Sequence, residues 1–393
     1  MAQARSGELA KAILLAALLV GCDVTSGPAS TPGPSASAGA AVAGPIASGS
    51  VEPSPRPTAR PGIRASAIGA MPSQFRYVAL DTLLADGYHT RLWLIDLSSK
   101  RAPVLAAEWD APASPVGGYS ASADGRTIVI SAAGARSRVA LSVLRPETGE
   151  LRVLFEDPVL VVVSPRISPD GSRFAFSKYP AAGGTDLGIW AGRISGGELE
   201  RITEPSNASS VPQMPLAWSP DGAWLAFTRD LDVTEIRLVR AAGGEELRAG
   251  PGERVSWRAT APELAIEQPV GPGSRIYTVD LATGKTADLV KEDRGSVAAL
   301  TWHPSGDRLA YVLSEGASRE ASLGIWLWRA DLQRSGRTDA GRTVFAPEWS
   351  ADGSILSAIA GGDDARIPIV DLLTGRQLSV LCRRGGTPPA DCV

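Results

Sequence analysis

Pro-Leu-Ala-Trp-Ser-Pro-Asp-Gly-Ala-Trp-Leu-Ala-Phe-Thr, residues 215–228, reads as a strand, a tight turn and a second strand. Ser219-Pro220-Asp221-Gly222 fits the four turn positions. Proline presets the backbone of the second, aspartate suits the third, and glycine tolerates a left-handed exit. Other copies of the unit lie along the chain. Ser168-Pro169-Asp170-Gly171 precedes Phe174-Ala175-Phe176, and Ser122-Ala123-Asp124-Gly125 precedes Ile128-Val129-Ile130. His303-Pro304-Ser305-Gly306 precedes Leu309-Ala310-Tyr311, and Ser350-Ala351-Asp352-Gly353 precedes Leu356-Ser357-Ala358. A worn copy runs from Val255-Ser256-Trp257 to Leu264-Ala265-Ile266. The residues before the turns, Ala121, Ile167, Trp218, Trp257, Trp302 and Trp349, recur roughly every 45 residues, the mark of a repeat array.

A second hairpin alternates with the first. Its clearest copy is Ile276-Tyr277-Thr278-Val279-Asp280-Leu281, a turn at Ala282-Thr283-Gly284-Lys285, and a strand from Thr286. Two hairpins per repeat make four strands, the plan of a β-propeller blade. The expected fold is therefore all-β, a propeller of four-stranded antiparallel blades over residues 72–382. Seven copies of the second hairpin argue for seven blades, with six blades and an accessory hairpin as the alternative. The first blade needs an innermost strand. Residues 63–68 are the local candidate and the C-terminal tail, 383–393, the other; if neither serves, the blade stays incomplete. Large and small residues alternate after each turn, as in Leu225-Ala226-Phe227, so that neighbouring sheets interlock. The tryptophan column reads as core.

The apolar-Trp-Ser-Pro-Asp-Gly pattern resembles the WD-repeat-like propeller repeat of the translocation protein TolB and its relatives. The same repeat occurs in the propeller domains of prolyl oligopeptidase-type enzymes. The resemblance covers about residues 74–381 and implies a fold, not an activity, because many activities share it.

Arg5 and Lys11 open a basic segment, and residues 12–20 are an apolar run too short to span a bilayer. The run ends in Leu19-Val20-Gly21-Cys22, which resembles the bacterial lipobox. That resemblance implies removal of residues 1–21 and lipidation of Cys22. Residues 22–71, rich in Ala, Gly, Pro and Ser, read as a disordered tether. Cys382 and Cys392 are expected to form a disulfide in an oxidising compartment. The chain is thus expected to be a membrane-anchored bacterial lipoprotein exposed outside the cytoplasm.

Catalytic spacing is absent from the sequence. The two histidines, His89 and His303, are not spaced to hold a metal, and His303 reads as a turn residue. No cofactor or metal is expected. A net charge of −3 with interspersed signs excludes a nucleic-acid stripe. In an antiparallel blade the first and third turns share one end, and these are the short ones. The long loops share the other end, where binding residues concentrate. Candidates there are Trp109, Asp110, Tyr179, Arg229, Asp230 and Glu292, with Asp293, Arg294, Glu315, Arg319, Asp363 and Asp364. The expected function is a non-catalytic, monomeric module that binds a protein or peptide, with a glycan as a further possible ligand. The alternative is a propeller lyase or hydrolase acting on glycans or peptides.

Overall fold

The structure, a computed structural model, describes residues 62–84, 87–111, 118–133, 139–157, 159–180, 186–205, 213–230, 233–293, 295–315, 322–338, 344–360 and 366–382. Residues 1–61, which include the segment read as a signal and Cys22, and the tail 383–393 with Cys392 lie outside the described residues.

Seven antiparallel sheets of four strands each follow one another along the chain. In blades 2 to 7 the strands keep sequence order from inside to outside, and the innermost are Gly118–Ala121, Leu160–Ile167, Met214–Trp218, Arg254–Trp257, Ser296–Trp302 and Val344–Trp349. Seven apolar cores hold the sheets together, one at each junction. Ile128 and Ile130 of blade 2 meet Leu92 and Leu94 of blade 1, and the pattern continues round to blade 7. The last core joins Ile359, Ile367 and Ile369 of blade 7 to Val78, Leu80 and Ile95 of blade 1, so the ring is closed. The chain is a seven-bladed β-propeller.

The alternation in the second strands explains the interlock. Phe174 and Phe176 face blade 2 while Ala175 faces blade 4. Leu309 and Tyr311 face blade 5 while Ala310 faces blade 7. Blades 3 to 6 thus present bulk to the preceding sheet and room to the following one. Burying one such Leu or Phe contributes about 1.5–3 kcal/mol.

Blade 1 departs from the expected plan. Its strands Phe75–Leu84, Gly87–Asp96 and Val104–Ala111 are the second, third and fourth of a blade. The Leu97 N–H donates to Gln74 O, just as Leu281 N–H donates to Pro262 O at the same point of blade 5. Residues 63–68 do not supply the missing innermost strand. Arg64–Ala65 pairs with the outer edge instead, Arg64 opposite Glu108. Ile63, Ala65, Ile68 and Met71 pack on the core between blades 1 and 2, so the propeller already begins within the segment read as tether. Among the described residues nothing pairs with the inner edge of Phe75–Leu84. Arg76 reaches into the gap from blade 1: Nη1 donates to Ser357 Oγ at 3.0 Å, and Nη2 to Ala346 O at 2.5 Å, both in blade 7.

The turn chemistry is as the motif demands. In blade 4, Asp221 Oδ1 accepts from Ser219 Oγ and from Ala223 N, and Ser219 Oγ accepts from Trp224 N. Gly353 sits at φ 73°, and a Cβ there would lie 2.2 Å from His303 Nε2. His303 packs edge-on against Trp349 with ring centroids 4.5 Å apart and is structural, as its place in the turn implies. The serine hydroxyls hold Asp170 and Asp221 below the ordinary carboxylate value of 3.8. A depressed folded-state pKa gives stability that is present above the unfolded value and lost as pH falls through the folded one. Urea midpoints should therefore decline below pH 3.8, and Asp221→Asn should flatten part of that decline. An unchanged acid limb in the variant would exclude the turn aspartates as its source.

Candidate functional site

The strand directions put the short turns at one end of the ring and the second loops and interblade crossings at the other. The candidate residues divide sharply when placed on this frame. Arg294, Arg319, Asp363 and Asp364 lie outside the described residues, as do the side chains of Asp110 and Glu315. Trp109 is not a surface anchor. The outer strand of blade 1 runs on to Ala111, and Trp109, 3% exposed, turns into the core against blade 2. Tyr179 is half-buried at the end of its strand, and burial raises its hydroxyl pKa. Next to it the Lys178 ammonium lies 3.3 Å from the Trp190 ring centroid, a cation–π contact, and burial lowers its pKa. Asp230 caps its hairpin by accepting from Thr234 Oγ1 at 3.0 Å. Glu292 accepts from Tyr311 OH at 3.0 Å, while Asp293 is exposed.

Arg229 is the candidate with the richest setting. It leaves the second strand of blade 4 and enters a cleft of about 400 Å³ between blades 3 and 4, lined by Arg201, Thr203, Glu204, Gly244 and Glu246 among others. Its Nη2 donates to Glu246 Oε1 at 2.7 Å, Glu204 O at 3.1 Å and Gln213 Oε1 at 3.4 Å. Gln213 Nε2 in turn donates to the buried Asp186 Oδ2 at 2.8 Å. Desolvation raises the Glu246 carboxyl although Arg229 and Arg237 oppose it. The cleft therefore offers a fixed guanidinium, a carboxylate and exposed Arg201 within one recess. That set suits hydrogen bonding to a polar chain more than to an apolar one.

Sequence reasoning missed Glu246, Gln213 and Asp186. Glu246 lies in a short turn, at the end read as structural, and only the diagonal reach of Arg229 joins the two. It also missed Glu267, wholly buried, whose Oε2 lies 3.0 Å from Arg254 Nη1 and whose Oε1 accepts from Ser274 Oγ. Among the described residues no group of three or more His, Cys, Asp or Glu could hold a metal ion.

No protein-family model and no curated protein matches the chain. Solved structures do. The chain is similar to an acylaminoacyl peptidase in complex with Z-Gly-Gly-Phe-chloromethyl ketone, at 14% identity and a TM-score of 0.55, over 81% of this chain and 52% of that one. It is similar to oligogalacturonate lyase from Vibrio parahaemolyticus, at 12% identity and a TM-score of 0.52, over 81% and 97%. It is also similar to TolB from Acinetobacter baumannii, at 15% identity and a TM-score of 0.45, over 78% and 81%. The chain thus spans about half of the peptidase. At such identities the shared property is the fold. The β-propeller expected from the repeat motif is borne out.

Proposed function

We propose that this chain is an extracytoplasmic lipoprotein, held by lipid on Cys22, whose propeller binds a protein or peptide partner through the end that carries the long loops. The observation that supports this reading most is the unequal chemistry of the two ends. The Ser-Pro-Asp-Gly turns are closed on themselves by Ser–Asp hydrogen bonds, whereas Arg201, Thr203, Glu204 and Arg229, at the long-loop side of a cleft that reaches Glu246 in a short turn, present polar groups to an incoming chain. The flat end of a propeller is large enough for an interface of ordinary size, about 800 Å² per partner.

Two measurements test the reading separately. Cys22→Ser should abolish lipid labelling and release the propeller from the membrane; a variant that stays labelled removes the anchor. Crosslinking in intact cells should capture a partner. Tyr179→Ala and Arg229→Ala should weaken its binding by 1–2 kcal/mol each, while Lys285→Ala and Arg376→Ala at the short turns leave it unchanged. Loss only from the short-turn pair reverses the assignment of the ends. Turnover of a glycan or peptide by the purified chain would replace the binding module by an enzyme.

A further inference from the structure

The innermost strands carry one register position that the binding reading does not use. It is the residue immediately before the Ala/Ile/Trp column: Ser120, Arg166, Ala217, Ser256, Thr301 and Glu348 in blades 2 to 7. The position lies one step inside the short-turn end of the ring.

Arg166 and Glu348 stand out within that layer. Each follows a bulge where the inner strand loses register with its neighbour, and each bulge contains a non-glycine residue in the left-handed region, Ser164 and Ala346, both at φ 50°. Bulges of this kind re-aim the side chain that follows and recur beside functional sites. A proline, Pro165 or Pro347, separates bulge and charge in both blades.

The two charges are compensated unequally. Glu348, its side chain 55% exposed but its carboxyl surrounded by protein, has Arg76 Nε at 3.3 Å; desolvation raises the carboxyl pKa and Arg76 opposes the rise. Arg166 donates from Nε to Leu216 O at 2.6 Å and from Nη1 to Pro165 O at 2.9 Å, both carbonyls. No carboxylate of a described side chain lies within ion-pair distance of Arg166, and its Nη2 has no described protein partner. Surrounding protein lowers its pKa to about 10, so it stays charged at neutral pH. Two hydroxyls of the same layer tie adjacent blades together. Ser120 Oγ accepts from Ile167 N and Ser256 Oγ from Trp302 N.

We infer that the channel of the propeller binds an oxyanion, the carboxylate or phosphate group of a small ligand, at Arg166 Nη2. This site is independent of the partner-binding end. An arginine is suited to both groups because its planar fork matches their oxygens. Glu348, three blades away from one side, sets the limit on ligand charge: it repels a second anionic group.

The reporter is Trp218, whose Nε1 donates to the Arg166 carbonyl at 3.1 Å. In the full chain, held in neutral detergent, its indole N–H resonance is assigned by loss in Trp218→Phe and followed during titration with inorganic phosphate and, separately, with acetate. A saturating shift is expected with at least one of them. The preferred probe identifies the group as phosphoryl or carboxyl. Arg166→Gln should weaken the midpoint at least tenfold and Arg166→Lys by less. Glu348→Gln should tighten it several-fold, which keeps the test decisive should Arg166→Gln not fold. A drift that never saturates with either anion overturns the site. So does a midpoint unchanged in a folded Arg166→Gln, or a Glu348→Gln variant that binds no more tightly than the wild type.

Discussion

Trp218→Ala is expected to lower the unfolding free energy by about 3–5 kcal/mol, the range for deleting a buried aromatic side chain. Trp218 ends the inner strand of blade 4 and lies buried in the junction with blade 3, among Ala175, Ile189, Ala191, Leu225 and Phe227. Two of these neighbours, Ala175 and Ala191 of blade 3, are too short to swing in and fill the space. The indole N–H also donates across the junction to Arg166 O, and its removal leaves that carbonyl to water. Urea unfolding of the two proteins measures the difference. A loss under 1 kcal/mol would mean that the tryptophan column is not what fills the junctions. Trp257 makes the equivalent bond, to Ala217 O at 3.2 Å, so its alanine variant serves as the replicate.

Arg254→Ala should cost about as much, but only above neutral pH. Glu267 has no exposed surface, and its desolvation raises the carboxyl from 4.5 to about 7 even with Arg254 opposing that rise. A raised folded-state pKa contributes stability that is fully present below the unfolded value and lost as pH climbs through the folded one. The wild type should therefore lose stability between pH 4.5 and pH 7 from this group. Without Arg254 the carboxyl is harder still to ionise, so the loss continues to higher pH. At pH 5 Glu267 is protonated in both proteins and the variant's deficit should be small. At pH 8 it should approach 3–5 kcal/mol, the cost of leaving one member of a buried pair alone. Arg254→Ala combined with Glu267→Gln should recover most of it. Equal deficits at both pH values would rule out the ionised pair as the cause.

The blades were legible because their signal is local. A Ser-Pro-Asp-Gly turn and an apolar strand after it are decided by a dozen adjacent residues, and the tryptophan before the turn repeats with them. Blade 1 was not legible in the same way. Its second strand, Phe75–Leu84, has no tryptophan-and-turn unit before it, and the pairing of Arg64 with Glu108 spans 44 residues that say nothing of each other. Trp109 was misplaced because its stretch of sequence reads as one of the long loops. The register shift between Leu92 and Trp93 breaks the two-residue alternation that would have marked Trp109 as inward. The Arg229–Glu246 pair was hidden for a related reason: it joins the two ends of a blade, and strand order alone assigns each residue to one end.

The joint between blades 1 and 7 has a consequence for how the chain is made. Arg76 and Ser357, which meet there, are 281 residues apart, although each blade, blade 1 included, is built from one continuous run. Synthesis delivers blade 1 first and its closing neighbour last. During that interval Val78, Leu80, Ile95 and Leu97 lack a covering sheet, because among the described residues their apolar cover from another blade is Ile355, Ile359, Ile367, Ile369 and their neighbours in blade 7. A chain stalled or clipped before residue 344 is therefore an open arc with two sticky ends, and association between such arcs is the natural misassembly of this molecule. Closing a loop that long costs little more than closing one half its length, since each doubling adds only about 0.6 kcal/mol. The hazard is one of time rather than of energy: a nascent arc has to be shielded until its final hairpin emerges.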